Sequence, residues 1–178
     1  MNGLQLKDKK FEIFFPENVI LEGIERVSKD IARDMKEKKP LLICVLKGAF
    51  MFASDLIKRL DFPCEMGFIH LKSYEGTQSS GTITEIHELA ENVENRHLVI
   101  VEDIIDTGHT ISYLVNRLKA NNPASVKIAC LLFRPDALKT DIKPDYCALE
   151  TPNNFIVGYG LDYDGLGRNL RDIYRIKD

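Results

Sequence analysis

The sequence predicts an α/β fold in which a central, mostly parallel β-sheet is covered by helices on both faces. Three continuous apolar runs, at 41–46, 97–101 and 125–133, have the length and composition of buried strands. Segments with helical periodicity alternate with them, which is typical of a parallel sheet. The chain has 178 residues, of which 44% are apolar, and no linker-like stretch divides it. We therefore expect one domain with a sizeable core.

The elements are predicted in order from the amino terminus. Apolar residues spaced by three or four positions between Ile20 and Met35 predict an amphipathic helix at 18–38. A second helix is expected at 49–60, directly after the first buried strand. The remaining predictions are a strand at 64–71, a mobile loop at 73–83, the strands at 97–101 and 125–133 with a helix at 111–120 between them, and short strands near 145–149, 155–158 and 172–176.

Composition limits the function classes. A net charge of −3 gives no general attraction for nucleic acid, so no nucleic-acid partner is expected. The amino-terminal segment has no signal-peptide core and no apolar run approaches the length of a membrane span, so we expect a cytoplasmic protein without a membrane partner. Cys44 and Cys130 lie in apolar runs, and none of the four cysteines has CxxC or zinc-finger spacing, which indicates a reducing compartment.

Polar residues that directly follow buried strands are candidate site residues, because ligands of parallel sheets bind beyond the carboxyl ends of the strands. Lys47 and Gly48 follow the first buried strand and offer an ammonium group and a backbone amide to one ligand. Arg134 follows the strand at 125–133. Taken alone, Lys47 and Gly48 are more typical of a surface lysine followed by the start of a helix. Arg134, taken alone, is more typical of an exposed strand end.

The segment VIVEDIIDTGHT, residues 99–110, is the most informative strand end. Its last five residues predict a tight loop entering a helix, where free amides and two threonine hydroxyls suit an anion. A simple helix cap would explain one acidic or hydroxyl residue in this loop. It would not explain Glu102 and Asp103, which strand alternation directs to opposite faces unless the chain turns there.

The carboxyl-terminal segment has an irregular backbone, because four glycines lie within the eleven residues 158–168. Phe155, just before it, is by default a core aromatic residue. Asp162 and Arg168 are by default a solvated ion pair. Composition and spacing alone therefore assign these three residues no ligand.

Residues 99–110 resemble the phosphoribosyl diphosphate (PRPP) signature of the type I phosphoribosyltransferases, with two hydrophobic, two acidic and two hydrophobic residues before Asp-Thr-Gly-x-Thr. Four further segments narrow the resemblance to the hypoxanthine-guanine phosphoribosyltransferases: LKG (46–48), LKSY (71–74), KPDY (143–146) and VGYGLDY (157–163). The anchors span residues 46–168 in the family's order. The resemblance implies one Rossmann-like phosphoribosyltransferase domain over 1–178, with a core at about 18–150 and a small hood from the amino-terminal segment and about 151–178.

The resemblance also implies a reaction, the transfer of the 5-phosphoribosyl group from PRPP to a 6-oxopurine in purine salvage. Hypoxanthine and guanine are the implied acceptors, with xanthine as a further candidate, and the products are IMP or GMP and diphosphate. Asp106 matches the family's general base at N7 of the purine, and Mg²⁺ is the implied cofactor on the diphosphate. A homodimer or homotetramer is the implied assembly.

The family's site residues carry over onto matching positions of this sequence. For the 5′-phosphate and ribose they are Glu102, Asp103, Asp106, Thr107, Gly108, His109 and Thr110. For the diphosphate they are Lys47, Gly48, Ser73, Tyr74 and Arg168. For the purine they are Arg134, Phe155, Ile156 and Asp162, and for the metal Glu102, Asp103 and Asp162. The resemblance further implies a cis peptide between Leu46 and Lys47 and a lid that begins at Ser73 and Tyr74.

Two departures from the family pattern bear on the site. At the variable position inside Asp-Thr-Gly-x-Thr, His109 offers a pH-sensitive contact to the 5′-phosphate, but an exposed loop residue that contributes only its backbone is the favoured interpretation. The other departure concerns the purine. Arg134 stands where most members have the lysine that donates to O6 of the purine, and a planar, forked guanidinium is not a conservative replacement. The departure leaves open the preference among hypoxanthine, guanine and xanthine.

Two alternative functions are weaker. An enzyme for adenine would need an acceptor at the 6-position, whereas Arg134 only donates hydrogen bonds. A PRPP-sensing regulator could lack the catalytic carboxylate or the stacking aromatic residue, yet Asp106 and Phe155 are both present. The acidic charge balance and the lack of room for a helix-turn-helix extension also argue against a regulator.

Overall fold

A central sheet of six strands forms the core of the protein, whose computed structural model describes residues 4–73 and 83–177. The strands are β1 (Leu4–Leu6), β2 (Lys9–Phe15), β3 (Leu41–Leu46), β4 (Glu65–Ser73), β5 (Ile83–His87), β6 (His97–Ile105), β7 (Ser125–Phe133), β8 (Tyr146–Glu150), β9 (Ile156–Val157) and β10 (Ile173–Ile176). The helices are α1 (Glu17–Met35), α2 (Phe50–Ile57) and α3 (His109–Lys119). The central sheet has the order β5-β4-β3-β6-β7-β8, and only β5 runs antiparallel to its neighbour. The predicted mostly parallel sheet is confirmed.

Most predicted elements lie within a few residues of their observed bounds, and β3 and β7 match them fully. The predicted end of β6 at residue 101 was wrong, because the backbone of Glu102 and Ile104 continues to pair with β7. The edge strand β5 and the β1–β2 hairpin were not predicted, since both mix polar and apolar residues without a buried run. The predicted mobile loop falls mainly on residues 74–82, which lie outside the described residues.

The helices form two layers. α1 and α2 cover one face of the sheet, where the predicted apolar stripe from Ile20 to Met35 is fully buried, and α3 covers the other face. Gly23 lets α1 approach the sheet closely, because a Cβ there would lie 3.0 Å from the carbonyl oxygen of Ala148. No helix in the described part of the chain is long and apolar enough to cross a membrane.

A second, four-stranded sheet is built from both ends of the chain in the order β1-β2-β10-β9, and we call it the hood. Asp172 fixes it to the core, because its Oδ1 accepts a hydrogen bond of 2.8 Å from the amide of Glu17 at the start of α1. The segment leading into the hood pairs with the core where the amide of Thr151 donates to the carbonyl of Phe133 at 2.9 Å. The hood therefore lies next to the carboxyl end of β7.

The four cysteines are free thiols, and Cys44 and Cys130 are fully buried, as predicted. Burial, with a smaller effect of Glu102, raises the pKa of Cys44 to about 12. This thiol therefore behaves as a small apolar group at neutral pH.

Candidate active site

Most of the predicted site residues meet at the carboxyl edge of the central sheet. A pocket of about 200 Å³ is lined by residues 102–108 together with Thr110 and Ile111, all in the segment from β6 to the start of α3. A second pocket of about 440 Å³ lies beside it and is lined by Asp106 and Arg134 from the core, by residues 153–155 from the segment before the hood and by Ile156 of β9. The two pockets share Asp106, so one ligand can occupy both.

The loop at 106–110 has the geometry of an anion site. Gly108 has φ +83° and precedes α3, whose first amides have no partner within the helix. The segment after β7 holds this loop in place, because the amide of Lys139 donates a hydrogen bond of 2.9 Å to the carbonyl of Thr107. His109 is exposed, in agreement with the favoured interpretation of it as an exposed loop residue.

Glu102 and Asp103 come together at the end of β6 rather than diverging. Burial raises the pKa of both carboxyl groups; the charge of Asp103 raises the pKa of Glu102 further, whereas Arg168 acts in the opposite direction on Asp103. Glu102 Oε2 is buried without a hydrogen-bond partner in the described residues. A buried and a half-buried acid with an unused oxygen suit a ligand that offers hydroxyl donors or positive charge.

The loop after β3 lies directly against this acidic pair. A Cβ at Gly48 would overlap Oδ2 of Asp103, so only glycine fits between the loop and the carboxylate. The peptide between Leu46 and Lys47 is cis, as the resemblance implied. The Lys47 side chain is exposed. The backbone of this loop thus faces the carboxylates, while its ammonium group remains open to solvent.

Arg134 bridges the core and the segment that leads into the hood. Its Nη1 lies 2.9 Å from Oδ2 of Asp106, and its Nη2 donates a short hydrogen bond to the carbonyl of Asn154. The arginine side chain is 11% exposed, whereas that of Asp106 is 43% exposed. The prediction that Arg134 belongs to the site rather than to an exposed strand end agrees with this placement. The pair presents a donor and an acceptor side by side.

Phe155 forms a flat apolar wall of the second pocket. Its ring packs edge-on against Tyr163, with 5.5 Å between ring centroids and an interplanar angle of 86°, and it lies 6.3 Å from the ring of Phe11. Phe155 remains 46% exposed, so one part of the ring is free to stack on a ligand. Ile156 beside it is buried. The default expectation of a buried core aromatic residue is thus wrong for Phe155.

Asp162 and Arg168 form a partly buried ion pair rather than a solvated one. Oδ1 of Asp162 lies 2.5 Å from Nη2 of Arg168, and the two side chains are 28% and 30% exposed. Nη1 of Arg168 donates to the carbonyl of Gly160 at 2.6 Å, and the amide of Gly165 donates to Asp162 at 2.7 Å. These bonds hold the arginine near Asp103.

Two predicted residues lie at or beyond the limits of the description. Ser73 ends β4, where only its backbone is described, and Tyr74 lies outside the described residues. Two residues of the site were missed from the sequence. Asn154 contributes a backbone carbonyl, which any residue provides, and Thr140 lies in a polar loop without a motif. Neither position has a signal that a single sequence could reveal.

The acidic pair fits a divalent cation that is held jointly with a phosphorylated ligand. The described residues contain no group of three or more His, Cys, Asp or Glu side chains that could hold a metal by themselves. Mg²⁺ typically binds through one or two carboxylates, waters and substrate phosphates. Glu102 and Asp103 are two such carboxylates, whereas Asp162 is engaged by Arg168 and Gly165.

The chain is similar to known proteins over nearly its whole length. Residues 15–164 match the phosphoribosyl transferase domain. The chain is 42% identical to the hypoxanthine-guanine phosphoribosyltransferase of Streptococcus thermophilus, covering 97% of this chain and 96% of the relative. It is 37% identical to the hypoxanthine-guanine-xanthine phosphoribosyltransferase of Tritrichomonas foetus, over 100% and 98% of the two chains. A solved structure of a mutant hypoxanthine phosphoribosyltransferase from Trypanosoma cruzi, in a ternary substrates complex, superposes with a TM-score of 0.86 at 39% identity and covers 93% and 94% of the two chains.

Gly108→Ala is expected to destabilise the protein more than Gly165→Ala. The two glycines have nearly equal φ, +83° and +84°, so alanine pays a similar cost of about 1–2 kcal/mol for the left-handed conformation at both. Only at Gly108 would the new Cβ also overlap Oγ1 of Thr140 and lie 2.8 Å from Leu138, which adds about 1–3 kcal/mol. Denaturant unfolding measures the difference. Equal losses would show that Thr140 does not constrain the loop.

Proposed function

Because the chain belongs to the hypoxanthine-guanine phosphoribosyltransferases of the phosphoribosyl transferase family, we propose that it transfers the 5-phosphoribosyl group of PRPP to a 6-oxopurine in purine salvage. The single observation that carries the proposal is the Asp106–Arg134 pair, 2.9 Å apart, between an anion pocket and an aromatic wall. A carboxylate beside a guanidinium matches the N7 and O6 edge of hypoxanthine and guanine.

The phosphoribosyl half of PRPP is proposed to lie in the pocket at 102–111. The amides at the start of α3 and the hydroxyls of Thr107 and Thr110 would bind the 5′-phosphate. Glu102 and Asp103 would accept hydrogen bonds from the 2′ and 3′ hydroxyls of the ribose. Their negative charge would also stabilise a sugar that becomes cationic at C1′.

The purine is proposed to lie in the second pocket, stacked on Phe155. N7–H would donate to Asp106, and O6 would accept from Arg134. The backbone at Ile156 would meet the 2-position, which distinguishes guanine from hypoxanthine. Adenine has an amino group at the 6-position, which is a hydrogen-bond donor. It would therefore place a donor against the donors of Arg134, and no hydrogen bond would form there.

The proposed chemistry exchanges one bond at C1′ for another. The bond from C1′ to the diphosphate oxygen breaks, and both electrons leave with the diphosphate. N9 of the purine forms the new bond with its lone pair, and the N7 proton passes to Asp106 as positive charge develops on the ring. Lys47, the backbone of Gly48, and Arg168 would bind the leaving diphosphate; for Ser73 and Tyr74 the same role rests on the resemblance alone.

Mg²⁺ is the proposed cofactor, held by Glu102 and Asp103 together with the substrate, with Asp162 near a second ion. When bound, it would offset the negative charge of the diphosphate. The unpartnered Oε2 of the buried Glu102, next to Asp103, supports this proposal.

The proposed organisation is a single domain over residues 1–178. Its core would span about 18–150, and its hood would comprise the amino-terminal segment and about 151–178, in keeping with the two sheets. A homodimer or homotetramer is proposed on the resemblance. A reducing compartment such as the cytoplasm is consistent with four free thiols.

The base-panel assay tests the proposed function. The protein is incubated with PRPP, Mg²⁺ and either hypoxanthine, guanine, xanthine or adenine, and nucleotide formation is followed by chromatography. IMP and GMP are expected, and chelation of the metal is expected to stop their formation. Xanthine belongs in the panel because one relative has this base in its name. No product with any 6-oxopurine would refute the proposal, and AMP from adenine would refute the donor role of Arg134.

Asp106→Asn is expected to lower kcat by about 10²–10⁴-fold, because an amide cannot take the N7 proton. PRPP should bind with nearly unchanged affinity, since its phosphate contacts are mostly backbone amides and hydroxyls. Steady-state kinetics and calorimetry measure the two effects. Asp141→Asn, which removes the same charge from an exposed loop residue, is the control and should change neither. Equal loss of turnover and of PRPP binding would make Asp106 structural instead.

Arg134→Lys is expected to change the ratio of kcat/KM between hypoxanthine and guanine or xanthine. A lysine has one nitrogen and cannot hold Asp106 and the Asn154 carbonyl in the planar fork that Arg134 provides. The purine would therefore sit differently against Ile156. Arg96→Lys is the matched control, because Arg96 also forms an ion pair, 2.8 Å from Glu65, at the opposite end of the sheet. An unchanged ratio in Arg134→Lys would show that the arginine has no bearing on base preference.

A further inference from the structure

Tyr159 occupies a strained position in the loop that joins the hood to the carboxyl edge of the sheet. Its φ is +48°, in the left-handed region that a bulky residue adopts only where its surroundings enforce it. The side chain is 2% exposed and packs in the apolar cluster beneath α1 and α2. No step of the proposed reaction uses this residue.

The hydroxyl of Tyr159 donates a short hydrogen bond to Oδ2 of Asp55, which lies on α2. Burial and this bond raise the pKa of Tyr159, so the hydroxyl keeps the proton that it donates. The other oxygen of Asp55 lies 2.6 Å from Nζ of Lys58, and the carboxylate is only 22% exposed. A charge-assisted hydrogen bond thus joins the loop of Tyr159 to α2.

Both ends of this hydrogen bond lead directly to the proposed diphosphate residues. On one side, α2 begins two residues after Gly48. On the other, Gly160 follows Tyr159, and a Cβ there would overlap the carbonyl oxygen of Gly48. The amide of Gly160 donates a hydrogen bond of 2.9 Å to the carbonyl of Arg168. In return, Nη1 of Arg168 donates one of 2.6 Å to the carbonyl of Gly160. Gly48 and Arg168 therefore both contact Gly160, and the bond from Tyr159 to Asp55 ties the residue before Gly160 to α2.

We propose that Tyr159 is a positioning residue for the diphosphate site, acting through its hydrogen bond to Asp55. The bond sets the distance between the backbone of Gly48 and the guanidinium of Arg168, which must both face one diphosphate. This inference rests on the proposed function, because only there do Gly48 and Arg168 bind diphosphate. Tyr159 itself touches neither substrate nor the reacting atoms.

Tyr159→Phe tests the proposal, because it removes the hydroxyl and keeps the ring that fills the core. The KM for PRPP and the Kd for inorganic diphosphate with Mg²⁺ are expected to rise about tenfold, the size of effect associated with one hydrogen bond to a charged group. The KM for hypoxanthine should stay unchanged, since Arg134 is held by Asp106 and Asn154 and not by the bond from Tyr159 to Asp55. Kinetics and calorimetry on the full chain measure these values.

Tyr146→Phe is the matched control. Tyr146 is also a buried tyrosine, 4% exposed, and its hydroxyl donates to Oδ2 of Asp34 at 3.0 Å. Burial and this bond raise its pKa as well. Loss of the Tyr146 hydroxyl should lower the melting temperature about as much as loss of the Tyr159 hydroxyl. It should not change the binding of PRPP or diphosphate. The comparison separates positioning from stability.

Asp55→Ala supplies an independent variant and a double-mutant cycle. Asp55→Ala alone should weaken diphosphate binding, and adding Tyr159→Phe should weaken it no further if both act through one bond. Equal PRPP KM values in Tyr159→Phe and Tyr146→Phe, or equal rises in the KM for PRPP and hypoxanthine, would overturn the inference. The inference would also be overturned if the double variant lost as much diphosphate affinity as the two single variants together. Absence of nucleotide formation by the unmodified protein would instead refute the proposed function, and diphosphate calorimetry would still decide the role of Tyr159.

Discussion

The close packing of three segments at the carboxyl edge of the sheet constrains the rest of the structure. A side chain at Gly48 would overlap the carboxylate of Asp103, and one at Gly160 would overlap the carbonyl oxygen of Gly48. A shift of one segment would have to be matched by the Asp103 side chain or by the backbone of the neighbouring segment. The end of β6, the loop after β3 and the loop before the hood therefore act as one body. A site that binds both ends of one extended ligand needs its binding segments to keep fixed relative positions.

Around this contact the charges are arranged for a ligand rather than for stability. Glu102 is buried beside the half-buried Asp103, and their raised pKa values reflect the cost of withdrawing two neighbouring acids from water. Arg168 offsets part of that cost, while Arg134 pairs with the more exposed Asp106. A phosphorylated sugar with bound Mg²⁺ would bring the hydroxyl donors and positive charge that the acids lack. The protein thus holds in advance the groups that its proposed ligand requires.

The fold and the motif residues of the site could be predicted because their signals are local. A continuous apolar run indicates a buried strand, and the loop at 106–110 has a residue pattern that few other structures share. The edge strand β5 and the hairpin β1–β2 escaped prediction because their partners, not their composition, make them strands. The roles of Asn154, Thr140 and Tyr159 escaped it because each depends on a neighbour distant in sequence.

The sequence by itself determined the alternation of buried strands and helices, the anion loop and the family to which the chain belongs. Periodicity and motif spacing are properties of neighbouring residues, so they persist in a single sequence. Only the tertiary structure decided that Glu102 and Asp103 meet, that Arg134 bridges Asp106 and Asn154, and that Phe155 remains half exposed. These features arise from contacts between segments far apart in the chain. Such contacts depend on how the sheet, the helices and the hood pack together, which no local pattern records.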